Sequence, residues 1–233
     1  MPARLSGLFI TGTDTGVGKT TVGRALLVLA RRSGRRPIPF KPAETGCDPE
    51  PSDALALWNA AGRPTAPERV CLYRFATPVA PAVAAGRAGV TIALAAIVAH
   101  AAQLAAEGDG LLVEGAGGLL VPYAPRLTGA DIAAALGLPV LVVARDELGT
   151  INHTALTLAE IDRRGLPTAG VLLCETRPRR TPDQLGNADA IEALTGLRPL
   201  GTIPHLPDAS DDMLADRCAS TLASLTCYFG GPC

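Results

Sequence analysis

The 233-residue sequence predicts an α/β fold, a doubly wound, mainly parallel sheet with helices on both faces, and three observations carry that prediction. Apolar runs of strand length alternate with alanine-rich stretches of helical period. The strand runs are continuously apolar, which marks burial on both faces. Polar, glycine-rich segments follow the strands, where open parallel sheets bind their ligands.

In order, GLFIT at 7–11 reads as a strand, 20–32 as a helix and PIPFK at 37–41 as a strand. A helix over 53–61, with Ser52 as its cap, precedes an irregular Pro/Gly-rich stretch at 62–89 that covers the site or packs on a partner. AIVAHAAQLAAEG at 96–108 is helical and GLLVEG at 110–115 a strand. Then come the strand LPVLVVA (138–144), the helix 152–164, the strand TAGVLLC (168–174), the helix 183–194 and the strand PLGTI (199–203). Neither a repeat nor a linker interrupts the series, so 1–233 is expected to be a single domain with 207–233 as a C-terminal tail or helix packed on it.

Composition narrows the function. Lysine plus arginine number 21 against 22 acids, and the aromatic share is 3%, so no nucleic-acid footprint is expected. The pairs Arg31-Arg32 and Arg35-Arg36 suit a helix C-terminus and its turn. No apolar stretch approaches the ~18 residues of a membrane helix, and the N-terminal run is too short for a signal peptide, so a cytoplasmic protein without membrane contact is expected. Six cysteines without a C-x-x-C pair or nearby histidines indicate neither a zinc site nor a disulfide framework.

The chemistry lies in the loops. TGTDTGVGKT ends in the Gly18-Lys19-Thr20 of a Walker loop, but Thr13 stands where that motif has its first glycine and Gly12 comes one residue early. At a strand-to-helix junction, the amides of Asp14, Thr15, Gly16, Val17, Gly18 and Thr21 face one anion. Lys19 is expected to meet the β- and γ-phosphates and Thr20 to ligate Mg²⁺. Glu114, at the end of GLLV, is expected to supply a second metal oxygen. Asp53 is equally an acid of a first helical turn or a metal ligand. Lys41 and Thr45 in KPAETG put a second cation and a hydroxyl at the same sheet edge, as phosphoryl transfer requires. LGTINHT opens a helix near Gly149, either as a carboxylate receptor or as a plain turn with Asn152 as cap.

Together TGTDTGVGKT, KPAETG, SDAL, VEGAGGLLVP and LGTINHT, in this order over residues 7–206, resemble the dethiobiotin synthetase family. The resemblance implies a homodimeric, ATP- and Mg²⁺-dependent cyclo-ligase of biotin biosynthesis. It closes a cyclic urea on 7,8-diaminopelargonic acid with CO₂, through a carbamate and a carbamic-phosphoric anhydride. Lys19, Thr15 and the loop amides then hold the phosphates, Thr20, Asp53 and Glu114 the metal, and Lys41 with Thr45 the carbamate. Gly117 and Gly118 line the substrate, and Gly149, Thr150, Ile151 and Asn152 receive its tail carboxylate from the other subunit; His153 belongs to the motif without a catalytic role. Cys174, Glu175, Pro204, His205 and Leu206 flank the base.

Two departures stand out from the family pattern. Gly16 replaces an acidic residue of many relatives, and Cys174-Glu175 replaces an Asn-Asp pair that reads adenine, so other nucleoside triphosphates are expected to compete with ATP. Two alternatives fit less well. A corrinoid amidase needs a glutaminase domain, for which the chain after residue 206 leaves no room. A switch ATPase of the partitioning type carries an early loop lysine and a basic amphipathic tail, neither of which is present.

Overall fold

A computed structural model of the chain describes residues 5–178 and 181–231. β1 (Gly7–Gly12), α1 (Lys19–Arg32), β2 (Pro37–Thr45) and α2 (Ser52–Ala60) are followed by β3 (Cys71–Phe75), α3 (Pro81–Ala88), α4 (Leu94–Ala105) and β4 (Gly110–Gly118). A hairpin of β5 (Pro122–Ala124) and β6 (Leu127–Thr128) leads into α5 (Gly129–Leu136), β7 (Val140–Arg145), α6 (Thr150–Arg163) and β8 (Thr168–Cys174). α7 (Asn187–Thr195), β9 (Gly201–Ile203) and α8 (Asp211–Leu222) complete the described helices and strands apart from short 3-10 turns.

Seven strands form one sheet in the order β3-β2-β4-β1-β7-β8-β9, and every pairing in it is parallel. β1 is buried along its whole length, as its continuous apolar run requires. It lies between β4 and β7, with Ile10 opposite both Glu114 and Leu141. The phosphate loop, which leaves the end of β1, is therefore set beside Glu114.

The two faces carry separate cores. Leu8, Ile10, Leu112, Leu141 and Val143 pack toward α1, α2 and α8, while Phe9, Ile38, Phe40, Leu111 and Val113 pack toward α3, α4 and α5. The segment after β9 joins the first core through Leu214, Leu222 and Phe229. It is also tied to α1 by Arg24, which pairs with Asp211 at 2.7 Å and donates to the Ala209 carbonyl, in the turn before α8, at 3.2 Å. No helix among the described residues is long and apolar enough to cross a membrane.

Several elements differ from the sequence reading. The stretch 62–89 contains β3 and α3; β3, an edge strand reading CLYRF, is half-exposed and so lacks the unbroken apolar run that reveals its neighbours. α5 is short and starts at a Thr128/Asp131 capping box that follows a two-residue strand. The helix expected over 183–194 is divided: a 3-10 turn, Pro182–Gln184, is followed by α7, and Gly186 at φ 78° separates them. The cap of α2 is Pro51 rather than Ser52, which is the first helical residue. Cys47, Cys71, Cys174 and Cys218 are free and buried, whereas Cys227 is disulfide-bonded, a cross-link that the scattered spacing did not announce. Cys233 lies outside the described residues.

Candidate active site

The glycine-rich loop is shaped by close approach. A Cβ on Gly12 would stand 2.4 Å from the Asp14 carbonyl oxygen and 3.0 Å from Lys19 Nζ, so glycine is required one position before the Walker pattern expects it. Gly18 caps α1 at φ 102°, and a Cβ there would stand 3.0 Å from Cys174 Sγ. Lys19, the first residue of α1, folds back so that Nζ donates to the Asp14 carbonyl at 3.1 Å. Burial, the largest influence, pulls its pKa below the ordinary lysine value, and the nearby Lys41 adds to that fall although Glu114 opposes it.

Lys41, Asp53, Glu114 and Thr20 meet over the ends of β2 and β4. Glu114 is fully buried, and its Oε1 accepts from Lys41 Nζ at 2.5 Å and from the Thr20 hydroxyl at 3.1 Å. Lys41 Nζ also donates to Asp53 Oδ2 at 3.0 Å. Burial acts most strongly on Lys41 and would lower its pKa, but the charges and hydrogen bonds of Glu114 and Asp53 together outweigh it and hold the ammonium well above its usual range. Asp53 shows the converse: burial, its largest influence, raises its pKa, but Lys41 keeps it below the ordinary carboxylate value. Glu114 Oε2 is buried without a hydrogen-bond partner among the described residues.

These groups line a cleft of about 720 Å³ together with Thr15, Gly16, Gly18, Thr21, Thr45, Gly117 and residues 78–81. The last of these come from the irregular stretch, so it contributes a wall of the site. Beside the cleft and sharing Gly16, Gly18 and Thr21 with it is a pocket of about 210 Å³, lined by Val17, Cys174, Glu175 and Pro204 to Leu206. Loops from the ends of β1, β2, β3, β4, β8 and β9 thus converge on two joined cavities, the larger of them ringed by cations and carboxylates.

A family model described as an AAA domain matches residues 6–212. A relative named ATP-dependent dethiobiotin synthetase BioD, from Anaeromyxobacter dehalogenans (strain 2CP-C), is 52% identical over 205 residues, covering 88% of this chain and 92% of the relative. Another of that name, from Bacillus thuringiensis (strain Al Hakam), is 41% identical over 203 residues, covering 86% and 84%. The chain belongs to the dethiobiotin synthetase family. Among solved structures, the Aquifex aeolicus MinC:MinD cell division protein complex (15% identity, TM-score 0.55, 97% of this chain and 94% of that one) shares its fold. The Cyanothece McdA–ATP complex (14%, TM-score 0.57, 99% and 98%) does so too.

Against the family's motifs, the structure brings most of the named residues to the two cavities and leaves some outside. Gly118 lines neither; the site of its Cβ lies 3.5 Å from the Gly12 carbonyl oxygen, so it serves the packing of the loop on β4. Gly149 caps α6 at φ 95°, so Asn152 is not the cap. Thr150, with Asp14, Arg145 and His153, borders a third, small pocket of about 70 Å³, and Gly149, Ile151 and Asn152 line none of the three. Asp14 directs its carboxylate away from the main cleft, accepting from the Thr15 amide at 2.7 Å and from Arg145 at 3.1 Å.

Two residues of the site escaped the sequence reading. Arg145, the last residue of β7, also donates to the Thr15 carbonyl at 2.8 Å, bracing the phosphate loop. Glu44 accepts from the amides of Asp53 and Ala54. An arginine in RDELGT and a glutamate in KPAETG were visible in the strand-end motifs, but nothing local told what either would hold.

Proposed function

We propose that the chain closes a cyclic urea across the two neighbouring amines of 7,8-diaminopelargonic acid, with CO₂ as the carbon source and ATP as the phosphoryl donor, in the presence of Mg²⁺ and in the cytoplasm. Membership of the dethiobiotin synthetase family supports the reaction. The observation that carries the site reading is the hydrogen-bonded set of Thr20, Lys41, Asp53 and Glu114, in which Lys41 and Glu114 are buried and Glu114 Oε2 has no hydrogen-bond partner among the described residues. Hard oxygen donors with one left unsatisfied suit Mg²⁺. The ion, bound by Thr20, Asp53 and Glu114, would spread the charge of the transferring phosphoryl group.

One amine attacks CO₂, forming an N–C bond and releasing a proton to give a carbamate. A carbamate oxygen attacks the γ-phosphorus as the bond to ADP breaks. The second amine attacks the carbonyl carbon, its proton is lost and phosphate leaves, closing the ring. Lys41, held cationic, orients the carbamate oxygens with Thr45. Lys19, Thr15 and the loop amides from Gly16 to Thr21 hold the phosphates, and Gly117 lets the substrate approach β4. Residues 78–81 limit the water that could intercept the anhydride.

Cys174, Glu175, Pro204, His205 and Leu206 are the proposed base pocket. A buried thiol cannot grip a purine edge as an amide does, so CTP and GTP compete with ATP. A steep ATP preference would sink that part of the reading. The start of α6, from Gly149 to Asn152, does not line the cleft of its own chain, which supports its serving a second copy in a homodimer as receptor for the tail carboxylate.

The test is incubation of the purified protein with the diamine, bicarbonate, Mg²⁺ and ATP. Phosphate release that requires the diamine and yields a cyclic urea supports the proposal. Release without the diamine would favour a switch ATPase, and release requiring glutamine an amidase.

A further inference from the structure

KPAETG supplies Lys41 and Thr45 to the proposed chemistry, but Glu44 between them has no part in it. Glu44 is nonetheless only 4% exposed. Its two oxygens accept separately, Oε1 from the Asp53 amide and Oε2 from the Ala54 amide, each at 2.9 Å. We infer that Glu44 is a positioning residue that holds Asp53 at the metal site by gripping the first turn of α2.

The local sequence makes such a grip necessary. A helix begins with amides that have no partner inside the helix, and a side chain of the cap residue usually takes one of them. The cap of α2 is Pro51, and no cap side chain accepts a bond there. The connection from β2 contains Pro49 and Pro51 and no regular hydrogen-bonded element, so it does not itself fix where α2 starts. Glu44 replaces the missing cap from across the site, and its charge suits the positive end of the helix.

The geometry ties that grip to one residue. β2 holds Asp53 at two points: Glu44 accepts from its amide, and Lys41, three residues earlier on the same strand, donates to its carboxylate at 3.0 Å. Fixing both ends of so short a side chain sets Asp53 Oδ1 and Oδ2 relative to Glu114, which Lys41 also binds. A carboxylate that only stabilised α2 would need no such link to the metal-site residues.

The inference rests on reading Asp53 as a metal ligand, and a double-mutant cycle separates the two. Single-turnover ADP formation is followed while Mg²⁺ is titrated, for the wild type, Glu44→Ala, Glu44→Gln, Asp53→Ala and the Glu44→Ala/Asp53→Ala double variant. Amide exchange over residues 52–60 is followed in parallel. Glu44→Ala should raise the Mg²⁺ concentration at half-maximal rate by about 10- to 100-fold, the usual cost of losing an outer partner of a metal ligand. Glu44→Gln, with one acceptor oxygen, should fall between, which also covers the case in which the alanine variant fails to fold. In the Asp53→Ala background the Glu44 change should have no further effect on the Mg²⁺ dependence. Multiplying effects in the double variant, or faster exchange with unchanged Mg²⁺ dependence in both Glu44 variants, would reduce Glu44 to a helix cap. Wild-type Mg²⁺ dependence in Asp53→Ala would instead remove Asp53 from the metal site, and with it the role of Glu44.

Discussion

Lys41 decides most at the scale of single residues. It sits between Asp53 and Glu114, and its pKa is held above the ordinary 10.5 by those two partners against the pull of burial. A lysine raised in this way stabilises the fold fully below its unfolded value, and the contribution is lost only as pH rises beyond the folded one. Between about pH 6 and pH 9, therefore, neither melting temperature nor rate should show an inflection that disappears in Lys41→Met. Lys41→Ala should lower kcat by about 100- to 1,000-fold, the cost of removing one charge-stabilising donor, and full activity would remove Lys41 from the mechanism. The thiols behave differently: Cys71 is pushed up to about 12, chiefly by burial. Because the thiolate is the reactive form, mass spectrometry after iodoacetamide treatment at about pH 8 should find Cys71 unlabelled in the native chain and labelled after unfolding. Lys19, Thr20, Lys41 and Glu114 were legible because each stands at the end of an apolar strand or in the glycine loop. Arg145 was not, because its partner is set by the register of the sheet, the Arg145–Asp14 bond spanning 131 positions, and Glu44 was not, because its partners are backbone amides of α2 that no side-chain pattern marks.

Elements were legible in proportion to how evenly they are buried. β1, β7 and the first half of β4 have unbroken apolar runs, and the sequence marks all three as strands. β3 and α5 are short or half-exposed, and Gly186 breaks a helical pattern that reads as continuous. The junction between β1 and α1 is the most constrained. Gly18→Ala adds a Cβ at a left-handed φ and against Cys174, so a loss of stability of about 1–3 kcal/mol is expected in urea titrations, with nucleotide affinity falling as well. An unchanged midpoint would mean that the loop has another conformation. At the opposite end of the sheet, Phe229 is fully buried against Gly110. Phe229→Ala should cost about 3–5 kcal/mol in the same titration, the range for emptying an aromatic core position. A loss below about 1 kcal/mol would show that the segment after β9 adds little to the core.

For the whole molecule, the order β3-β2-β4-β1-β7-β8-β9 gathers the loops after β1, β2, β3, β4, β8 and β9 at one edge, so the two cavities proposed for substrate and nucleotide adjoin. The start of α6 lies outside both, and the proposed homodimer gives it a site to serve. Mixing Lys41→Ala with Asn152→Ala subunits should then restore about a quarter of wild-type activity, since half the dimers are mixed and each carries one intact site. No recovery after subunit exchange would confine each site to one chain. The central claim is that phosphoryl transfer is spent on ring closure rather than on a conformational cycle. Labelled bicarbonate and ATP consumption measured in one reaction test it most directly. One labelled carbon in acid-stable cyclic urea for each ADP formed, with neither appearing when the diamine is left out, is the result expected. ADP formed at the same rate without the diamine, or without label in the urea, would contradict it.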